Sequence, residues 1–271
     1  MKKLLRDPFI LIIAGILLWI AFHFVNMFWN QETTSLMNGA QKSYEQAENE
    51  TNAVKRKAAF NHSLESFLAL EKKYSPTMGN GKLYYDIGNN FFQLEEYPWA
   101  ILYFDKAAVL RPRDDRVEQN LLAAQSKLQI APKKEDSPIK KVFFFHNYLS
   151  IPERLQLFVA LGIVALLFAS LYLWLDNRWS NWLMEIFLGL GTILLLSLAY
   201  SYYFSPVEAV LVKSSALYRD AGEQYAKVKE EPVASGNKVT VLDQTDSGKW
   251  MKVQTSDGSV GYIPYEAVRI I

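Results

Sequence analysis

The chain has 271 residues, a formal net charge of +1 and no cysteine. Because binding to nucleic acid needs an excess of basic residues along one surface, this charge balance argues against a nucleic-acid partner. The lack of cysteine excludes disulfides, thiolate metal sites and thiol catalysis. The three histidines, at positions 23, 62 and 146, are too scattered to predict a metal site, and we expect no cofactor.

The N-terminal segment combines a basic start with a long apolar run. Lys2, Lys3 and Arg6 precede the apolar run at residues 9–29. The alternative is a cleaved secretory signal, whose apolar core is shorter, about 7–15 residues, and ends at small residues. This run ends in aromatic residues, so we expect an uncleaved membrane anchor with residues 1–8 in the cytoplasm.

Residues 40–130 show the periodicity of α-helices and few strand signals. In the stretch from Gly81 to Asp114, small residues such as Gly88 and Ala107 allow two antiparallel helices to approach closely. The stretch matches the tetratricopeptide pattern of about 34 residues, with Tyr84 in place of the usual tryptophan. We therefore expect an all-α tetratricopeptide-like repeat domain.

The inner face of this repeat presents side chains that helix packing does not use. Amides, a lysine and aromatic rings in a concave groove suit an extended peptide or a partner's tail, through hydrogen bonds to its backbone or terminal carboxylate. The alternative is a solvated face without a ligand. The predicted partner-binding residues are Lys82, Tyr85, Asn89, Phe92, Gln93, Arg116 and Gln119.

After a linker and interfacial segment at residues 131–154, two apolar runs at 155–175 and 182–204 flank a short polar break at 176–181. A helix needs about 20 residues to cross the hydrocarbon core of a bilayer, and soluble cores rarely contain uncharged helices of this length. The runs therefore predict a transmembrane hairpin with a cytoplasmic loop. Glu185, near that loop, is interpreted as tolerated there and not as a proton relay.

Together with the first apolar run, the hairpin predicts three transmembrane helices in a multi-pass membrane protein. A hairpin returns the chain to the side from which it came. Both soluble domains are therefore expected on the extracytoplasmic side, with the N-terminus in the cytoplasm.

Residues 206–271 alternate short apolar runs with turns such as Asp257-Gly258, which predicts a five-stranded meander or small β barrel. The order of residues resembles bacterial SH3-like domains. The resemblance implies a groove for a peptide or a cell-wall fragment such as peptidoglycan, lined by exposed aromatic residues. The alternative is that some of these aromatics complete a thin core. The implied groove residues are Tyr218, Trp250, Tyr262 and Tyr265.

The order of anchor, repeat, hairpin and SH3-like domain, with its sharpest motif from Tyr85 to Pro112, resembles the BatE proteins of the bacterial aerotolerance operon. The resemblance implies an inner-membrane protein without enzymatic activity. Its implied partners are von Willebrand A-type membrane proteins and a MoxR-type ATPase, and its implied role is envelope integrity or stress tolerance.

The leading hypothesis is a non-enzymatic envelope scaffold that holds protein partners through the repeat and the SH3-like domain. The alternative is a membrane sensor whose SH3-like domain recognises cell-wall peptide or glycan. An enzyme or a transporter is disfavoured, because the sequence offers no catalytic set and no polar pathway within the spans. We predict no catalytic and no metal-binding residues.

Overall fold

The computed structural model describes residues 15, 16, 19, 34–74, 81–131, 144–175, 177–245 and 248–271. The chain divides into two compact units. One unit contains residues 151–204 with the described residues up to 36, and the other contains residues 37–150 and 205–271. The described chain is mostly helical, with one five-stranded antiparallel sheet.

The larger unit begins with a helical layer built from five helices, of which the first starts three residues earlier, at residue 34. Asp114 caps the fifth of them, because its carboxylate accepts a hydrogen bond from the backbone N–H of Arg116 at 3.2 Å. Pro98 lies in the first turn of the fourth, where its missing N–H costs nothing. The helices are α1 (residues 34–48), α2 (Ala53–Tyr74), α3 (Lys82–Gln93), α4 (Tyr97–Leu110) and α5 (Asp115–Lys127).

Helix α4 is the centre of the helical layer. It buries side chains around its whole circumference, including Ile101, Tyr103 and Phe104, as a helix covered on every side must. Helix α3 lies so close that a Cβ atom at Gly88 would be 2.7 Å from the ring of Phe104. The α3–α4 contact therefore requires glycine at position 88.

The same unit contains a single antiparallel sheet in the order β4-β3-β2-β1-β5. Successive residues of a strand point to opposite faces, and β1 is buried on both. Ala209 and Leu211 face the core of the sheet itself, whereas Val210 and Val212 join the core of the helical layer. The strands are β1 (Val207–Leu211), β2 (Lys238–Gln244), β3 (Trp250–Gln254), β4 (Val260–Pro264) and β5 (Val268–Ile270).

The prediction of a closed barrel is wrong, because β4 and β5 form the two edges of an open sheet. A 3₁₀ turn at Tyr265–Ala267 separates these strands, and β5 then pairs with β1. Backbone hydrogen bonds of 2.9 and 2.7 Å connect Tyr218 and Tyr262 in both directions. An irregular segment therefore covers the edge of β4 in place of a closing strand.

Two long helices, α7 (Ile151–Leu175) and α8 (Arg178–Phe204), form most of the smaller unit, while the short α6 (Phe144–Tyr148) belongs to the larger one. Both long helices are long and apolar enough to span a membrane, and few of their side chains are buried within the protein. The Arg154 guanidinium donates hydrogen bonds to the carbonyl and the hydroxyl of Ser197, at 3.2 and 2.8 Å. This contact fixes the register of the two helices.

The prediction of three membrane spans is wrong, since the described residues contain two candidate spans. Of the predicted first span at 9–29, the structure describes Gly15, Ile16 and Trp19. The rest of that run lies outside the described residues, as do residues 1–8.

Helix α8 begins within the predicted loop at 176–181. The side-chain oxygen of Asn177 accepts a hydrogen bond from the N–H of Trp179 at 3.1 Å. Such a cap favours a helix start directly after the asparagine, so α8 begins at Arg178. Most of the predicted linker, residues 132–143, lies outside the described residues.

Candidate functional site: a charged groove in the helical layer

The described helical layer contains a concave groove of about 420 Å³. It is formed by α1, α3, the residue that follows α4, and the start of α5. Its lining combines three cations, one carboxylate, two amides and two tyrosines. The lining residues are Gln41, Tyr44, Lys82, Tyr85, Asp86, Asn89, Arg111 and Arg116.

The charged groups of the groove are paired, with the cations in excess. Lys82 Nζ lies 2.6 Å from the Asp86 carboxylate. Asp114, beside the groove, contacts both Arg111, at 2.6 Å, and Arg116, at 2.9 Å. Three cations therefore share two carboxylates, and the arginines keep donors for an additional anion.

The two carboxylates respond differently to their surroundings. Burial raises the pKa of Asp86, although the ammonium group of Lys82 opposes this effect. Hydrogen bonds from Arg116 lower the pKa of Asp114. Asp86 is 6% exposed, so it depends on Lys82 for its charge compensation.

An amide network fixes the orientation of Asn89. The Asn120 side chain donates to Asn89 Oδ1 at 2.8 Å and to the Tyr85 hydroxyl at 3.2 Å. With its oxygen already accepting, Asn89 has its Nδ2 donors left for a ligand. The Arg116 guanidinium lies 5.8 Å from the centre of the Tyr85 ring, within the range of a cation–π contact.

Of the seven residues predicted for this groove, four line it: Lys82, Tyr85, Asn89 and Arg116. The other three lie elsewhere. Phe92 packs edge-on against Tyr97, with ring centroids 5.5 Å apart, and belongs to the border of the apolar core. Gln93 hydrogen-bonds to the Tyr44 hydroxyl, and Gln119 is exposed on α5.

Sequence reasoning missed four lining residues and one supporting residue. Gln41 and Tyr44 come from α1, whose polar sequence gives no sign that it closes one side of the groove. Asp86 was detectable as the partner of Lys82 four positions earlier on the same helix. Arg111 follows the end of α4, and Asn120 acts through other residues, so neither has a local signal.

The sheet carries a second candidate surface. Tyr218 and Trp250 form an edge-to-face pair with ring centroids 5.6 Å apart. Tyr262 is joined to Tyr218 through the backbone, and Lys252 Nζ lies 5.9 Å from its ring centre. These three aromatics are half-buried, so part of each ring faces solvent.

The fourth aromatic predicted for that surface, Tyr265, has a different environment. The Arg269 guanidinium lies 5.6 Å from the Tyr265 ring and 5.6 Å from the ring of Trp99 on α4. Tyr265 is therefore associated with the junction between sheet and helices.

Among the described residues, no cluster of three histidine, aspartate or glutamate side chains is arranged to hold a metal ion. No protein-family model matches the chain. No curated protein is significantly similar to it in sequence.

Proposed function

We propose that this protein is a non-enzymatic membrane scaffold whose helical groove binds the extended tail of a partner protein. The observation that supports this most directly is the convergence of Lys82, Arg111 and Arg116 on one groove beside Tyr85 and Asn89. The three cations can pair with a carboxylate, the Asn89 amide can donate to a peptide carbonyl, and the Tyr85 ring can pack against an apolar side chain.

The membrane location of the scaffold rests on α7 and α8. Residues 37–150 precede these helices and residues 205–271 follow them, yet both belong to one compact unit. A helical hairpin that enters and leaves the bilayer on the same side accounts for this. We infer that the larger unit lies on the outer side of a bacterial inner membrane.

The partners follow from the resemblance to BatE proteins. They are von Willebrand A-type membrane proteins, whose chain ends would be presented beside the membrane surface. In this proposal the scaffold contributes to envelope stress tolerance by holding these proteins together.

The test of the groove uses full-length protein in lipid nanodiscs and a fluorescent pool of random octapeptides with free C-termini. We expect binding that falls at least tenfold when the peptides are C-terminally amidated, since a charge-assisted hydrogen bond contributes about 1.5–3 kcal/mol. Arg116→Gln should cause a similar loss. Fluorescence polarisation measures both effects.

Lys127→Gln is the matched control for the groove test. It removes a cation from the same helix, and the residue is exposed and outside the groove lining. Equal binding by the free and amidated pools, or no binding by either, would refute the proposed carboxylate site.

A second candidate function is sensing of cell-wall material by the sheet. The half-exposed group of Tyr218, Trp250 and Tyr262 favours it, because aromatic faces stack on sugars and flat peptide groups. This function does not depend on the helical groove, and the two can be tested separately.

We expect full-length protein to cosediment with purified peptidoglycan sacculi and Trp250→Ala to weaken this several-fold. Tyr225→Ala, which removes an exposed aromatic from the same part of the chain, should bind like the wild type. If both variants retain full binding, the aromatic group is not the recognition surface. Circular dichroism of each variant monitors the fold.

A further inference from the structure

The helical layer and the C-terminal sheet share an apolar core. Val210 of β1 and Val212, directly after it, belong to the same buried cluster as Ile101 and Phe104 of α4. Ile271, the last residue, packs against that cluster as well. Chain segments separated in sequence by the whole hairpin therefore bury one another's apolar surface.

A charge pair crosses this contact, with a buried carboxylate and a lysine side chain that is 37% exposed. Lys238 Nζ on β2 lies 2.9 Å from Asp105 Oδ1 on α4 and 3.4 Å from Glu208 on β1. Asp105 is 4% exposed, and its second oxygen has no hydrogen-bond partner among the described residues. Lys238 is thus the principal group that compensates the negative charge of the buried Asp105 carboxylate.

The ionisation of this pair reflects its burial. Burial raises the pKa of Asp105. Burial alone would lower the pKa of Lys238, but the nearby carboxylates of Asp105 and Glu208 outweigh it and raise that pKa. The ammonium group is therefore stabilised where it bridges helix and sheet.

Two further contacts join the region of the sheet to the helical layer. The Arg269 guanidinium lies 5.6 Å from the ring centre of Trp99 on α4 and 5.6 Å from that of Tyr265, which precedes β5. At Gly236, with φ +84°, an added Cβ would lie 2.4 Å from the Leu128 side chain. The turn before β2 is therefore pressed against the end of α5.

We propose that the C-terminal sheet is a permanent capping partner of the helical layer, docked on α4 through the Lys238–Asp105 pair. The segments before and after the membrane hairpin then behave as one rigid body. The alternative is two domains that move independently on their membrane tethers. This inference does not depend on what the groove binds.

The test is hydrogen–deuterium exchange with mass spectrometry on full-length protein in lipid nanodiscs. Lys238→Met removes the partner of a buried carboxylate, so we expect amide exchange at least tenfold faster in both α4 and β1. Faster exchange in β1 with unchanged exchange in α4 would overturn the proposal, because the protection of the α4 amides would then not depend on contact with the sheet.

Lys229→Met is the control, since Lys229 pairs with Asp257 inside the sheet region and its loss should leave α4 protected. If Lys238→Met unfolds the sheet, the milder variant Asp105→Asn tests the contact from the helical side. We expect Asp105→Asn to accelerate exchange in β1 and β5, and an effect confined to α4 would again refute the docking.

Discussion

The substitution Gly88→Leu is expected to lower the free energy of unfolding of the helical layer by about 3 kcal/mol or more. Any Cβ at this position meets the Phe104 ring at 2.7 Å. Phe104 is fully buried at the centre of α4, so its ring has no free space to enter. Protection of the α3 and α4 amides against hydrogen exchange, in full-length protein, measures the loss.

Gly39→Leu is the matched control. Gly39 lies within α1 and has no atom within 4 Å of an added Cβ. Replacing glycine inside a helix removes a cost of about 1 kcal/mol, so this variant should be as stable as the wild type or slightly more stable. Equal protection of α3 and α4 in both variants would contradict a distance of 2.7 Å between a Cβ at position 88 and the Phe104 ring.

The second large effect is expected from Gly261→Ala in β4. Its Cβ would lie 2.6 Å from the carbonyl oxygen of Tyr218, which is a backbone atom held by its hydrogen bond to Tyr262. Since neither backbone can give way cheaply, we expect a loss of about 3 kcal/mol or more in the stability of the sheet. Hydrogen exchange of the β3 and β4 amides checks this.

Gly222→Ala is the control for Gly261→Ala. It tests whether the expected loss of stability comes from the clash with the Tyr218 backbone or from replacing any glycine of this region by alanine. At position 222 the nearest atoms to an added Cβ belong to the side-chain amide of Gln224, which can rotate away. The expected change is within about 0.5 kcal/mol. A loss as large as that of Gly261→Ala would contradict the assignment of the clash to the Tyr218 backbone.

Local sequence carries most of the information on the helices. Gly88 and the apolar positions of α3 and α4 all lie between Lys82 and Leu110, and their spacing alone predicts a close helix pair. The apolar runs near α7 and α8 are equally local. Helix α8 begins at Arg178, before the predicted span at 182–204, because Asn177 acts as its cap.

The architecture of the sheet was harder to predict, because closure depends on distant pairing. Whether β5 meets β4 or β1 is decided by the turn at Tyr265–Ala267 and by the hydrogen bonds of Tyr218. Neither feature alters the alternation of apolar residues. The sequence signal for five strands is therefore the same for an open sheet and a closed barrel.

Four of the eight residues that line the groove were predicted, and the other four were missed because they depend on packing between elements. Lys82, Tyr85 and Asn89 lie on one face of α3, so helical periodicity alone groups them. Tyr44 and Arg111 reach the same groove from other elements, and only the packing of α1 and α4 brings them there. Asp105 and Lys238 are 133 positions apart, and no local pattern relates them.

The two-sided burial of β1 has a consequence for biogenesis. The ribosome completes α4 and α5 about 80 residues before it reaches Val210, which takes about 4–16 s at roughly 5–20 residues per second. During that time the surface of α4 around Ile101 and Asp105 has no sheet to cover it, because α7 and α8 are made before the covering strands. Transiently exposed apolar surface favours aggregation, so we expect protein truncated before β1 to aggregate or be degraded.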